Sequence, residues 1–313
     1  MILKVFRDIS SYKPLHPTVL TIGTFDGVHV GHKKIIEKLT KSGRNEDLES
    51  VILTFFPHPR MVLQKDTQIK LLNTIDEKIQ LLEQSGLDTL IIHPFDKTFS
   101  ELSAEEFVKQ ILIDKLNLKK IVIGYDHRFG KNRTAGIDEL IAFGKKYGFE
   151  VEQISAQEID EVSISSTKIR KALNNGEIAL ANSYLGYDYF FNATVIQGKK
   201  LGRTIGFPTA NLKVSETYKL IPETGVYIVE VLFDSQSFKG MMNIGINPTV
   251  NGAHQTIEVH ILDFNQDIYE ENIQVYVLEK IRDEQKFPSV EALKTQLTKD
   301  KHTTENYFLK LKR

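Results

Sequence analysis

The stretch TIGTFDGVHVGHK, residues 21–33, runs from apolar residues into a glycine-rich turn that holds an aspartate and two histidines three residues apart. An apolar run that stops at glycine and passes into GHKKIIEKL reads as a strand, a turn and a helix. Such a turn leaves the first N–H groups of the helix open and sets its positive end beyond the carboxyl end of the strand, which suits phosphate. The spacing matches neither Gly-x-Gly-x-x-Gly nor the P-loop lysine pattern, so neither of those nucleotide folds is supported. A zinc pair ranks lowest, because a third ligand has to come from elsewhere and the chain has no cysteine. A lone histidine in a turn is more often structural than catalytic; two flanking a glycine at a strand-to-helix turn ask for more.

Outward from this turn the pattern repeats. The runs SVILTFF, DTLIIHPF, KKIVIGYD and FEVEQI are strand-length and apolar on both faces, as a sheet covered by helices requires. Between the runs lie the helical stretches GHKKIIEKLTKSG, TIDEKIQLLEQSG, SAEEFVKQILIDKLN and GIDELIAFGKKYG. Thr74 with Glu77, and Ser103 with Glu106, have capping-box spacing, while Gly43, Gly86 and Gly148 sit where helices are expected to end. Strict alternation of strand and helix predicts a doubly wound parallel sheet. One more helix, SSTKIRKALNNGEIALANSYLG, is expected to close a first domain at residues 1–185. From residue 186 the period changes to two. YFFNATVIQG, GVYIVEVLF, KGMMNIGI, QTIEVHILDF and NIQVYVLEKI are β-branched, aromatic and separated by turn signals. They predict an antiparallel β-barrel or sandwich over residues 186–313, ended by a helix.

At 313 residues the chain exceeds one ordinary hydrophobic core, in keeping with two domains. Its formal net charge of -1 gives no global field for nucleic acid or an anionic membrane. The absence of cysteine excludes disulfides, thiolate metal sites and cysteine nucleophiles. The opening MILKVFRDIS reaches charge too soon for a signal peptide, and no apolar run is long enough to span a bilayer. The expectation is a soluble cytoplasmic protein without nucleic-acid or membrane partners, a monomer or a transient homo-oligomer.

Residues 29–32, HVGH, resemble the His-x-Gly-His signature of nucleotidylyltransferases, and GTFDGVHVGH resembles its form in bacterial FMN adenylyltransferases. TFFPHPR (54–60), IGYDHRFGKNRTAG (123–136) and ISSTKIR (164–170) resemble further motifs of that family in the same order. The resemblance implies transfer of AMP from ATP to the phosphate of FMN. That nucleophile is already ionised, so the site has to align phosphates and stabilise charge rather than activate a base. It implies His29, His32 and Arg170 as catalytic groups, and Gly23, Gly31, Ser165, Ser166 and Thr167 as phosphate contacts. His58, Asp126 and Arg133 are implied to shape the flavin and nucleotide pockets. Members of that family often carry asparagine where this chain has Thr24, and commonly phenylalanine where it has His127.

In the second half, GKKLGRTIGFPTAN (198–211) carries glycines and basic residues in excess of an ordinary turn, and an anion site competes with a solvated loop as its reading. GFPTANL resembles the Pro-Thr-Ala-Asn motif of riboflavin kinases, and NIGINPTV, TIEVHILDF and IRDEQKFPSVEAL follow in that family's order. This implies Gly202, Arg203, Gly206, Thr209 and Asn211 at the ATP phosphates, Thr209 and Asn211 also serving Mg2+, and Arg282 at the flavin. Alternation in TIEVHILDF puts Glu258 opposite Ile257 and Val259; alone it reads as a solvated glutamate, and the resemblance makes it the catalytic base. The two resemblances together imply a bifunctional riboflavin kinase and FAD synthetase of the bacterial type, with ATP, riboflavin and FMN as substrates. Two other readings differ in kind: a nucleotidylyltransferase whose barrel is a flavin-binding regulatory module, and a nucleic-acid binder, which the near-neutral charge disfavours.

Overall fold

A computed structural model of the chain describes residues 2–63, 69–124, 127–155, 164–198, 201–249 and 252–311. They form two compact units, Met1–Ser165 and Ser166–Arg313.

The first unit is built on six parallel strands: β1 (Lys4–Phe6), β2 (Thr18–Ile22), β3 (Glu49–Phe55), β4 (Thr89–His93), β5 (Leu118–Gly124) and β6 (Glu150–Ile154). Their order across the sheet is β1-β4-β3-β2-β5-β6. Every residue of β2 is buried, because helices cover both faces. Leu20, Leu53 and Ile121 join one core cluster, while Val19, Ile52 and Val122 join the other. The strand order reverses between β2 and β5, which pair through Leu20 and Ile121. In sheets of this kind that reversal opens the crevice where ligands bind, and the turn after β2 lies at its mouth.

Local chemistry sets the helices. Thr74 and Glu77 exchange hydrogen bonds of 2.9 and 3.2 Å in a complete capping box that starts the helix Ile75–Glu83. Ser103 and Glu106 do the same at residue 104, and Gly148, in the left-handed region at φ 77°, closes Ile137–Tyr147. Other expectations are corrected. The first long helix, Val30–Glu46, runs through Gly43 and ends at Asp47; Gly43 is there because a Cβ would come within 2.9 Å of the Leu48 carbonyl oxygen. The stretch at 103–117 is a short α-turn followed by a π-helix, Phe107–Ile113, instead of one α-helix. The expected single helix after residue 164 is two, Ser166–Asn174 and Ile178–Leu185, broken at Gly176 with φ 72°.

Both of those helices belong to the second unit, ahead of the change of period at residue 186. The Asn182 side chain ties them to the barrel. Its amide donates to the Val277 carbonyl at 3.0 Å, and its oxygen accepts from the Tyr189 N–H at 2.9 Å. The barrel itself consists of β7 (Tyr189–Ile196), β8 (Ala210–Lys213), β9 (Gly225–Phe233), β10 (Gln236–Thr249), β11 (Gly252–Ile261) and β12 (Asn272–Arg282), closed in the order β10-β11-β8-β7-β12-β9. Closure leaves no open strand edge. The terminal helix, Val290–Leu311, packs outside through Phe308 against Ile228 and Leu278.

Candidate active sites

In the first unit the site is assembled by the turn between β2 and its following helix. The Gly23 N–H continues the sheet by donating to the Leu53 carbonyl at 3.1 Å. Beyond it Phe25, Gly27 and Val28 take positive φ values of 46°, 89° and 38°, a tight coil that brings His29 to the N-cap of the helix Val30–Glu46. His29 makes no side-chain capping bond there, and Gly31 is buried in the first turn. The imidazoles of His29 and His32 stack with centroids 3.6 Å apart and planes 19° apart, and His32 meets the Phe25 ring at 4.9 Å. The Nδ1 atoms of both rings are buried without a hydrogen-bond partner among the described residues. Buried polar atoms rarely stay unpaired, so the pair is built for something other than internal structure.

The protonation states follow from burial. Desolvation draws the His29 pKa down from 6.5 to about 4, against a smaller opposing pull from Asp26. It holds His32 well below 6.5, with help from His29 and Lys78. Both rings are therefore neutral near pH 7, each with one N–H to donate.

Sequence reasoning missed what lies beneath this turn. Lys78, only 5% exposed, donates from Nζ to the Thr24 carbonyl at 2.7 Å, and Thr54 Oγ1 donates to the same oxygen at 3.2 Å. Asp26 is buried as well, its Oδ1 accepting the Leu72 N–H at 2.9 Å. A signal was present in TIDEKIQLLEQSG: Lys78 falls at i+3 from Ile75 and i−4 from Leu82, on the helix's apolar stripe. The contacts at residue 24 use its carbonyl, so the presence of threonine there leaves them intact.

The other implied residues fall as follows. His58 opens the short helix Pro59–Leu63 and accepts the Arg60 N–H on Nδ1 at 3.1 Å. Arg133 is exposed in a 3-10 turn, Lys131–Arg133, and His127 stacks near Phe129, with centroids 6.1 Å apart. Asp126 lies outside the described residues. Ser165 ends the first unit; Ser166, Thr167 and Arg170 lie on the first helix of the second.

In the barrel, three implied residues do come together. Thr209 Oγ1 donates to Glu258 Oε2 at 3.0 Å, and Asn211 is the register partner of Glu258 across β8 and β11. Of the three, Thr209 lines a cleft of about 590 Å³, together with Arg203, Pro208, Val259, Ile261 and Phe264 among others. Arg203 sits on a single helical turn, Leu201–Thr204. Gly202 in that turn is required by space, since a Cβ would stand 2.1 Å from the Phe207 carbonyl oxygen; Gly206 is required by conformation, at φ 84°. On the face shared with Glu258, His260 Nδ1 donates to the Pro208 carbonyl at 2.7 Å and fixes the approach of this loop to β11. Arg282, the implied flavin contact, lies at the end of β12. Its guanidinium is clamped on the Asp300 carboxylate of the terminal helix, with bonds of 2.8 to 3.2 Å, and its remaining nitrogen donates to the Asp283 carbonyl. Among the described residues no three His, Cys, Asp or Glu side chains gather as a metal site.

Both halves of the chain match known families. Residues 12–168 match the FAD synthetase family, and residues 185–308 match the riboflavin kinase family. The chain is 39% identical over 311 residues to a bifunctional riboflavin kinase/FMN adenylyltransferase of Buchnera aphidicola, covering 98% of this chain and 99% of that one. It is 38% identical to the Escherichia coli K12 protein of the same name, with 98% of each covered. The chain belongs to the bifunctional riboflavin kinase/FMN adenylyltransferase family. A Listeria monocytogenes riboflavin kinase/FMN adenylyltransferase is 39% identical, covering 94% of this chain and 93% of its own. A crystal structure from Streptococcus pneumoniae, titled a macrolide-efflux protein, superposes with a TM-score of 0.89 at 33% identity, covering 98% of this chain and 99% of that one. That title stands apart from the riboflavin kinase/FMN adenylyltransferase names. Among the described residues here, no helix is long and apolar enough to cross a membrane.

Proposed function

We propose that residues 186–313 phosphorylate riboflavin to FMN and that residues 1–185 join FMN to AMP, the two ATP-dependent steps for which the family is named. The observation that carries this reading is the Glu258 carboxylate bonded by Thr209, which lines the barrel cleft, in the same chain as two neutral imidazoles whose Nδ1 atoms have no partner among the described residues, at the reversal point of a parallel sheet.

In the barrel, the ribityl 5′-hydroxyl is a poor nucleophile at neutral pH, and Glu258 takes its proton as the oxygen attacks the γ-phosphorus of ATP; ADP leaves. Arg203, Gly202 and Gly206 line the phosphates. The Thr209 hydroxyl and the Asn211 amide oxygen are hard oxygen donors, of the kind Mg2+ accepts alongside water and phosphate oxygens. When bound, Mg2+ supplies neutralisation of charge on the transferring phosphoryl group. In the first unit, an FMN phosphate oxygen attacks the α-phosphorus of ATP and pyrophosphate leaves. His29 and His32 donate to oxygens that gain charge in that step. Ser165, Ser166, Thr167 and Arg170 keep the phosphate-binding role that their motif implies, and His58, Asp126 and Arg133 the pocket-shaping role. We assign Arg282 to holding the terminal helix in preference to the flavin. The net charge of -1 gives no global attraction for nucleic acid or an anionic membrane, and we take the protein to be cytoplasmic, monomeric or transiently oligomeric.

Labelled ATP tests the two steps together. With riboflavin and Mg2+, ATP labelled at the γ-phosphate is expected to label FMN, and ATP labelled at the α-phosphate to label FAD alone. Unlabelled FMN in the first case would overturn the kinase assignment, and unlabelled FAD in the second the adenylyl transfer.

A further inference from the structure

The chemistry above leaves the buried ammonium of Lys78 unused. A charge taken out of water is costly unless something specific compensates it, and here the compensation is aimed at the histidine turn. Lys78 Nζ and Thr54 Oγ1 both donate to the Thr24 carbonyl, at 2.7 and 3.2 Å. Asp26, itself buried and held by the Leu72 N–H, supports the charge. Two donors on one carbonyl fix the plane of the trans peptide that follows. The Phe25 N–H is thereby turned to the opposite side, where no described residue accepts it.

The same peptide carries the strain of the turn. Phe25 stands at φ 46° and Val28 at φ 38°, a region that residues with side chains seldom occupy unless their surroundings hold them there. From Phe25 the contact passes on: its ring meets His32 at 4.9 Å, and His32 stacks on His29 at 3.6 Å. A continuous mechanical path therefore runs from the Lys78 ammonium through the Thr24 carbonyl and the Phe25 backbone and ring to both imidazoles.

We infer that Lys78 is a positioning residue for adenylyl transfer, gripping the Thr24 carbonyl so that the Phe25 N–H and the two imidazoles are held toward the reacting phosphates. The inference rests on the adenylyl-transfer reading of this turn. Lys78 touches no reacting atom in this account. Its part is to keep donors preorganised, and a displacement of about 1 Å in such donors costs on the order of 100-fold in rate.

The test is Lys78→Met in the full chain, which keeps the stem and removes the ammonium, with riboflavin phosphorylation by the same protein as an internal control. The kcat of FMN-to-FAD conversion is expected to fall roughly 100-fold, with KM for ATP and FMN little changed and the kinase rate at the parent level. His29→Ala/His32→Ala is assayed beside it. If that double variant loses FAD formation while Lys78→Met keeps the parent kcat, or raises KM alone, the Lys78 assignment is overturned and the site reading survives. If the histidine variant makes FAD at the parent rate, the site reading itself fails. Should loss of the Lys78 charge unfold the first unit, Lys78→Met/Asp26→Asn removes both charges while keeping an acceptor for the Leu72 N–H. That variant is expected to show the same kcat loss. Parent kcat in it, or unfolding of it as well, would make Lys78 a stability residue and overturn the proposal.

Discussion

His29 and His32 are neutral rings near pH 7, and burial is the reason. In the folded chain the His29 pKa is about 4, against an ordinary value of 6.5. Between those two values the unfolded chain binds the proton and the folded chain does not, so the fold loses stability to the unfolded state as pH falls through that interval. The contribution is complete above about pH 6.5 and is lost as pH falls toward 4. Parent protein is thus expected to lose stability over that interval more steeply than His29→Ala, as read by denaturant melts at stepped pH; equal slopes would contradict a buried neutral ring. Each single alanine variant, His29→Ala or His32→Ala, is expected to slow FAD formation by about 100- to 1,000-fold, or about 2.7–4 kcal/mol, while FMN formation continues. In the barrel the corresponding residue is Glu258. Glu258→Gln keeps size and most hydrogen bonding but accepts no proton, so FMN formation should drop about 100-fold or more with FMN-to-FAD conversion unaffected. Thr209→Ala should instead weaken ATP binding in calorimetry with Mg2+. Parent-rate turnover by Glu258→Gln would return that residue to the solvated glutamate suggested by alternation alone.

At the scale of elements, the terminal helix depends on one ion pair. The Asp300 side chain is 1% exposed and receives the Arg282 guanidinium at 2.8 Å, with Gln296 completing its shell. Removing one partner of a buried pair leaves an uncompensated charge, at a cost of about 3–5 kcal/mol. Asp300→Ala is expected to lower the barrel's unfolding midpoint accordingly, and Asp300→Ala at the parent midpoint would contradict the clamp. Elements of this fold were legible where the pattern was long and two-sided: β2 to β6 were read from apolar runs, and the helix caps from Ser/Thr with Glu. β1 was not, because the three residues of KVF carry no period of their own and gain strand form only by pairing with β4. The break at Gly176 was overlooked because the amphipathic spacing resumes after it. For Lys78 the apolar stripe signals burial, but only the fold shows its partner, a carbonyl 54 positions away. The ion pair of Arg282 could be expected from the charged run IRDEQK, but its partner, Asp300, lies 18 positions away and shows only in the fold.

Across the whole molecule, two units built on different periods carry two sites with different chemical demands. One unit needs aligned donors for a nucleophile already charged; the other needs a base for a hydroxyl. The family matches divide in the same sense, at residues 12–168 and 185–308, and the relatives cover the chain end to end. The central claim is that this single chain makes FAD from riboflavin by way of FMN. It is tested most directly by incubating the purified protein with riboflavin, ATP and Mg2+ and separating the flavins through time. The account predicts that FMN rises first and then falls as FAD accumulates. Riboflavin left unchanged, or FMN that accumulates with no FAD formed from it, would contradict it.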